Sequence, residues 1–174
     1  VLRQARLAAA QAPDLPFLDV WFADGSTGFA VGAFNLILRT DDGGRTWAPW
    51  LDRTENPGGL HLHAVRRVAG EVWIVGESGL VMRLDPRRGR FEAVPVPYGG
   101  SFFGLTGNDR VVVAYGLRGN AVRSTDRGAT WRYAANLPLT QFYKVAVDSA
   151  RSFYNILGGT QDNNTIAGPS RTTS

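Results

Sequence analysis

The carboxylates that stand outside any repeated motif are the first residues that could support chemistry. Glycoside hydrolysis, for example, requires two carboxyl groups that face each other across a cleft. Asp24 and Asp109 stand among residues typical of hairpin turns, whereas Asp162 follows a strand in a polar loop and is the most interesting candidate. We see no acid–nucleophile pair and therefore predict no catalytic residue. The carboxylates considered are Asp19, Asp24, Glu71, Glu77, Asp109, Asp148 and Asp162.

Two histidines, His61 and His63, raise the question of a metal site. Alternate residues of a strand share one face, so both imidazoles could approach one ion. No third ligand stands nearby, and the chain has no cysteine that could supply a thiolate. We therefore predict that both histidines are structural or solvent-facing and that the protein holds no metal and no other cofactor.

Arginine supplies nearly all of the positive charge. The 174 residues include 19 lysines and arginines against 15 acidic residues, and Lys144 is the only lysine. A net charge of +4 is small for a nucleic-acid-binding protein, and no aromatic stacking platform is visible, so we predict no nucleic-acid partner.

Six of the arginines crowd one part of the chain. Arginine suits bidentate contacts with carboxylates and phosphates, so we predict a docking patch for an acidic protein segment or for anionic headgroups. The alternative is an ordinary solvated loop. The six residues are Arg66, Arg67, Arg83, Arg87, Arg88 and Arg90.

Internal repeats must position all of these residues. Two octets, residues 40–47 and 124–131, fit the pattern Ser/Thr-x-Asp-x-Gly-x-Thr-Trp, and their tryptophans lie 84 residues apart, or two periods of 42. Residues 84–91 form a decayed copy with Phe91 in the tryptophan place. Four short apolar segments that end in glycine repeat with a similar period. These glycines are Gly32, Gly76, Gly116 and Gly158.

The octets are typical of tight turns between strands. The aspartate would accept backbone N–H bonds, the glycine would supply a positive φ angle, and the tryptophan would pack between repeats. We therefore assign the octet residues a structural role rather than a catalytic one. They are Thr40, Asp42, Gly44, Thr46, Trp47, Ser124, Asp126, Gly128, Thr130 and Trp131.

Each repeat contains four short runs rich in valine, isoleucine, phenylalanine and tryptophan, separated by turn residues. In the first repeat, strands are expected near 17–22, 29–32, 36–40 and 46–50. Four strands in about 42 residues describe one blade of a β-propeller. We predict an all-β chain of about 3.5 four-stranded blades, part of a larger, seven-bladed ring. The blades are expected at about 15–55, 56–96, 97–136 and 137–174, the last incomplete, after a tail or short helix at 1–14.

The octet resembles the Asp-box, or BNR repeat, of sialidases, sortilin-type receptors and xyloglucan hydrolases. Residues 17–131 are more closely similar to the photosystem II stability and assembly factor family and its bacterial relatives, on the segments 17–22, 28–32 and 37–47. This resemblance implies an Asp-box propeller that binds membrane-protein intermediates, with no catalytic residue to carry over. It also implies a protein of the thylakoid lumen or periplasm, or a secreted one. The chain itself shows no clear signal peptide.

The last part of the chain resembles a different class. Residues 141–148, 158–164 and 168–172 are similar to sortilin and xyloglucanase-like Asp-box proteins. The two resemblances leave two functions open. The first is a non-catalytic scaffold that assists assembly of a membrane protein complex, and the alternative is a carbohydrate-active protein that binds or hydrolyses glycans. Two copies of about 3.5 repeats would make seven blades, so a homodimer closed between chains is a further expectation.

Overall fold

A computed structural model describes residues 15–134 in full, together with the backbone of three later strands. The chain divides into two compact units, Val1–Ala135 and Asn136–Ser174. The described part of the first unit contains three antiparallel four-stranded sheets, in each of which the strands follow chain order. The all-β prediction is confirmed, since the described residues contain no helix beyond short 3-10 turns. None of the described helical segments is long and apolar enough to cross a membrane.

The strand boundaries place one sheet in each of the first three repeats. The first sheet comprises β1 (Phe17–Phe22), β2 (Gly28–Gly32), β3 (Ile37–Thr40) and β4 (Ala48–Pro49). The second comprises β5 (Leu62–Val68), β6 (Glu71–Gly76), β7 (Val81–Asp85) and β8 (Arg90–Ala93). The third comprises β9 (Phe102–Gly107), β10 (Val112–Gly116), β11 (Ala121–Ser124) and β12 (Arg132–Tyr133).

The second unit contains a three-stranded sheet. Its strands are β13 (Phe142–Val147), β14 (Asn155–Thr160) and β15 (Thr165–Pro169), paired in that order. The first strands of neighbouring sheets in the first unit, β1, β5 and β9, pack against one another, so the three sheets radiate from their first strands as propeller blades do.

The repeated glycines are required by a close approach of the backbone. Gly32, Gly76 and Gly116 end the second strand of their sheets and have extended φ angles near −165°. A Cβ atom at Gly76 would lie 2.1 Å from the carbonyl oxygen of His61, and the other two would meet carbonyl oxygens at 2.3 and 2.0 Å. The prediction for the fourth glycine, Gly158, is wrong. Thr160 occupies the equivalent position at the end of β14, whereas Gly158 lies two residues earlier and pairs with Val145.

A β-bulge recurs in the first strand of all four sheets. In each case the pairing register shifts around the second residue of the strand. A bulge re-aims the side chain of its extra residue, and in the first three sheets it does so at the same place. The bulged residues are Leu18, His63, Phe103 and Tyr143.

Two apolar clusters join the sheets of the first unit. The cluster between the first and second sheets places Phe29 and Val31 against Leu62, Val65 and other side chains. The cluster between the second and third sheets is built around Trp73, which is fully buried and donates its indole N–H to the carbonyl of Val68 at 3.1 Å. The hydrophobic core therefore lies between the sheets rather than within any one of them.

One face of the first sheet is exposed where the same face of the next two sheets is buried. Val20 is 56% exposed, whereas its equivalents by register, Val65 and Leu105, are 0% and 5% exposed. Phe17 is 50% exposed, although the residue at its position in the second sheet, Leu62, is fully buried. The first sheet covers this face of the second sheet, and the second sheet covers it in the third. Among the described residues, no sheet covers it in the first.

Candidate partner-binding surface

The aspartate of the first octet ties its own turn together. Asp42 accepts hydrogen bonds from the backbone N–H and the hydroxyl of Thr46, at 2.9 and 2.6 Å, and from the Thr40 hydroxyl at 2.8 Å. The Thr40 oxygen in turn accepts the N–H of Gly44 at 2.9 Å. These donors favour the ionised carboxylate and lower the pKa of Asp42 to about 2, with the Thr46 hydroxyl contributing most.

The second octet repeats this arrangement. Asp126 accepts the N–H and hydroxyl of Thr130 at 2.9 and 2.6 Å and the Ser124 hydroxyl at 2.7 Å, while the Ser124 oxygen accepts the N–H of Gly128 at 2.8 Å. The Thr130 hydroxyl is again the main cause that lowers the aspartate pKa to about 2. Both carboxylates therefore anchor turns and stay ionised far below neutral pH.

The decayed octet keeps a turn but builds it differently. Pro86 stands where the other octets have aspartate, and the neighbouring Asp85 accepts the N–H groups of Arg87 and Arg88 at 2.7 and 3.2 Å. The Arg87 N–H is the main cause that lowers the pKa of Asp85. Phe91, in the tryptophan place, is fully buried. This turn therefore presents Arg88 and Arg90 at positions where the other octets have glycine and threonine.

The predicted arginines all belong to the second sheet. Because its strands are antiparallel, the β5–β6 and β7–β8 turns lie at the same end, which we call the Asp-box end after the octet turns of the other sheets. Arg66 and Arg67 lie in the second half of β5, whereas Arg87 and Arg88 lie in the β7–β8 turn and Arg90 begins β8. Three strand spacings, roughly 14 Å, separate β5 from β8. The structure thus forms one tight group of three arginines and places a pair farther away.

Three of the six guanidinium groups are engaged within the fold. Arg66 pairs with Asp19. Arg83 donates to the carbonyl oxygen of Arg127 at 2.7 Å, lies over the Trp73 ring at 5.7 Å, and so joins the second sheet to the third. Arg88 pairs with Glu92, and this hydrogen bond is the main cause that raises the pKa of Arg88.

The other three arginines are exposed. Arg67 makes one long hydrogen bond, from its Nε to the carbonyl of Gly70 at 3.3 Å. Within the described residues, no side-chain hydrogen bond holds the guanidinium of Arg87 or Arg90. These two are therefore the most available cations of the group for a carboxylate or phosphate on a partner.

The candidate carboxylates are held apart, each by its own surroundings. Asp24 accepts the N–H groups of Ser26 and Thr27, both at 2.7 Å, and the Thr27 bond is the main cause that lowers its pKa. Asp19 accepts the N–H of Val65 at 2.8 Å and so joins the first strands of two sheets. Asn108, rather than Asp109, accepts the N–H groups of its turn. Asp148 and Asp162 lie outside the described residues.

The two histidines lie at the start of β5. Their rings are nearly parallel, with centroids 6.5 Å apart. His63 Nδ1 lies 2.7 Å from the carbonyl oxygen of Phe102, and His61 Nε2 lies 3.8 Å from the Glu77 carboxylate. Among the described residues, no group of three or more potential ligands could hold a metal ion.

Sequence reasoning missed Phe34 and Phe103, which flank these histidines. The Phe34 ring lies 4.5 Å from the His61 ring, and the Phe103 ring 5.5 Å from the His63 ring. The available signal was the alignment of the repeats. Phe34 stands where the next two sheets have Ser78 and Arg118, at the first left-handed position of the same turn.

Comparison with known families places the chain. The family model described as photosynthesis system II assembly factor YCF48 matches residues 8–132. The chain belongs to this family. The match ends within β12 and includes all six predicted arginines and both octets, so the resemblance seen over 17–131 is confirmed.

Individual YCF48 proteins match this chain over only part of their own length. The photosystem II assembly lipoprotein Ycf48 of Synechococcus sp. (strain CC9902) is 41% identical over 68 residues, which are 37% of this chain and 20% of that protein. A solved structure described as YCF48 bound to D1 peptide aligns with a TM-score of 0.59 at 23% identity. It covers 89% of this chain and 55% of the other.

A second YCF48 structure, from Cyanidioschyzon merolae, aligns with a TM-score of 0.56 at 17% identity and covers 92% of this chain and 57% of the other. At these identities the structures support the fold alone, a partial Asp-box β-propeller. The chain spans just over half of each of these two structures.

Proposed function

We propose that this chain is a non-catalytic protein-binding scaffold that assists assembly of photosystem II or a related membrane protein complex. The observation that carries the proposal is the YCF48 family match over residues 8–132. One solved relative is described as bound to a D1 peptide, and we extend that kind of partner, a peptide segment of a membrane-protein subunit, to this chain.

We place the binding site on the arginine group at the Asp-box end of the second sheet. The two exposed guanidinium groups of Arg87 and Arg90, with Arg67 on the same end, can each donate two parallel N–H bonds to a carboxylate. Arg66, Arg83 and Arg88 extend the positive charge but are held by Asp19, Arg127 and Glu92. The partner segment should therefore be acidic.

The experiment is a titration of a fluorescent acidic peptide from D1 against the wild-type chain and two variants. Charge reversal in the double variant Arg87→Glu, Arg90→Glu should abolish measurable binding without unfolding the chain. Arg118→Glu is the matched control, since Arg118 is an exposed arginine of the third sheet at the opposite end. Equal binding by the double variant and the control would overturn the assignment of the site.

A glycan is the rival ligand that the Asp-box repeat brings forward. The described carboxylates favour a polypeptide ligand over a glycan. Asp19, Asp24 and Asp42 each accept hydrogen bonds that hold a turn together or join two sheets. Incubation with xyloglucan and with sialyllactose tests the rival directly. Release of sugar that disappears in Asp162→Asn would establish a carbohydrate-active protein and contradict the scaffold proposal.

We further propose that the protein works on the lumenal or periplasmic side of a membrane, on the support of the lipoprotein named among its relatives. We also propose that a second copy of the chain covers the exposed face of the first sheet. The support is the exposure of Val20 and Phe17, whose equivalents are buried by a neighbouring sheet.

A further inference from the structure

Four rings from three sheets form a continuous row at the end opposite the Asp-box turns. We call Phe34, His61, His63 and Phe103 the ring row. Phe34 belongs to the β2–β3 turn, the histidines open β5, and Phe103 is the bulged residue of β9. Successive ring centroids are 4.5, 6.5 and 5.5 Å apart. The N–H of Asn35 donates to the carbonyl of Leu60 at 3.1 Å and fixes the first turn to the start of the second sheet.

The rings at the two ends of the row, Phe34 and Phe103, are exposed to solvent, and Phe34 also has an unfavourable backbone conformation. Phe34 has φ 51° and is 63% exposed. A bulky side chain in the left-handed region costs roughly 1–2 kcal/mol, and this ring regains little of that by burial. Ser78 performs the same turn in the second sheet with φ 52°. Phe103 is 53% exposed, so the turn and the bulge both direct aromatic rings outward where folding does not require them.

The polar groups beside these rings are mostly hydrogen-bond acceptors. A carbonyl oxygen only accepts, so in the 2.7 Å contact His63 Nδ1 donates and the carbonyl of Phe102 accepts. The Glu77 carboxylate accepts the backbone N–H of His61 at 3.2 Å and is 39% exposed. Aromatic faces also carry negative electrostatic potential.

Among the described residues, few cations lie near the row. Arg90 lines the cavity of ≈ 590 Å³ that Phe34 also lines, together with the carboxylates of Asp52 and Glu55. Arg66 reaches the neighbouring cavity of ≈ 180 Å³, which His63 and Phe103 also line, but the carboxylate of Asp19 neutralises it there. Arg118 is exposed on the β10–β11 turn at the same end. The aromatic faces and the Glu77 carboxylate together favour a cation that sits over the ring faces.

We propose that the ring row binds a lysine or arginine side chain of a partner polypeptide through its aromatic faces and the Glu77 carboxylate. The ring row lies at the opposite end from Arg67, Arg87 and Arg88, which belong to the arginine group proposed to bind an acidic ligand, whereas Arg90 shares a cavity with Phe34. The scaffold would thus hold a basic segment at one end and an acidic segment at the other.

The test uses a short fluorescent peptide with two arginines between leucines, and matched peptides in which citrulline or glutamate replaces arginine. The wild-type chain should bind the arginine peptide and not the other two. Phe34→Ser should weaken binding roughly two- to fivefold, the loss of one cation–π contact, and should fold normally because serine stands at the equivalent position in the second sheet. Glu77→Gln should weaken binding as well.

Arg87→Glu is the control on the other surface and should leave binding of the arginine peptide unchanged. The proposal is overturned if the citrulline or glutamate peptide binds as tightly as the arginine peptide. It is also overturned if Phe34→Ser and Glu77→Gln both bind like the wild type. Neither result would affect the acidic-peptide titration, so the two surfaces can fail separately.

Discussion

Trp131 packs edge-on against Trp73 of the preceding sheet, with ring centroids 6.0 Å apart and planes at 88°. Phe91 meets Phe29 in the same relationship one sheet earlier, at 5.5 Å and 78°. In the second and third sheets, the aromatic residue that closes the octet therefore contacts the preceding sheet. Trp47 holds this position in the first sheet, yet its only ring contact among the described residues is Phe22 of its own sheet, at 6.0 Å.

Replacement of Trp131 by alanine should therefore destabilise the protein far more than replacement of Trp47. Trp131 is 9% exposed, and loss of a buried tryptophan costs about 3–5 kcal/mol. Trp47→Ala removes a partly buried ring and should cost about 1–2 kcal/mol. Urea denaturation monitored by circular dichroism measures both losses of stability. Equal losses would show that the octet tryptophan acts within its own sheet rather than between sheets.

Gly76→Ala should destabilise the protein although its φ angle is accessible to any residue. The new methyl group would lie 2.1 Å from the His61 carbonyl oxygen, so the backbone must move, at a cost of about 2–3 kcal/mol. Gly25→Ala is the matched control, because nothing lies within 4 Å of the added Cβ, and it should change stability by less than about 0.5 kcal/mol. Thermal denaturation of both variants is the measurement, and similar midpoints would contradict the close-approach argument.

The repeat and the hydrogen bonds of the octet turns could be predicted from the sequence because both are local. Asp42 and Thr46 lie four residues apart, so the octet pattern alone indicates their contact. The glycine marker was right in three sheets for the same reason. It was wrong in the fourth, where the equivalent position is shifted by two residues to Thr160, at the end of β14. Spacing within a repeat does not reveal that shift.

Contacts between sheets could not be predicted from the sequence. Arg83 was grouped with five other arginines by proximity along the chain, but its guanidinium is held by the carbonyl of Arg127, 44 residues later. The row that joins Phe34 to Phe103 was missed for the same reason, since its members come from three sheets and share no motif.

Acid should destabilise the protein through its octet turns. The folded pKa values of Asp42 and Asp126 are about 2, below the ordinary aspartate pKa of 3.8. Each therefore contributes stability that is present above about pH 4 and is lost as the pH falls toward 2. The free energy of unfolding of the wild type should fall through this window. Urea denaturation at a series of pH values from about 5 to 2 should show a shallower fall in Asp42→Asn, Asp126→Asn. Parallel curves for the two proteins would contradict the prediction.

Arg83 and Arg87 should separate stability from binding. Arg83→Met loses a hydrogen bond to Arg127 and a contact over Trp73, and should cost about 1 kcal/mol because the group is 39% exposed and partly screened. Arg87→Met touches an exposed side chain and should change stability by less than about 0.5 kcal/mol. Chemical denaturation gives the first comparison. Titration with the acidic peptide gives the second, in which Arg87→Met is the weaker binder of the two.

The exposed face of the first sheet should govern self-association. Light scattering coupled to size-exclusion chromatography should give a mass near twice 18.9 kDa for the wild type. Val20→Asp should shift this mass to that of a monomer with little loss of monomer stability, because Val20 is 56% exposed. The same substitution at the equivalent position, Val65→Asp, should prevent folding, since Val65 is fully buried beneath the first sheet. A wild-type mass that stays at 18.9 kDa across the accessible concentrations would rule out the second copy as the cover of this face, and so would a Val20→Asp variant that remains a dimer.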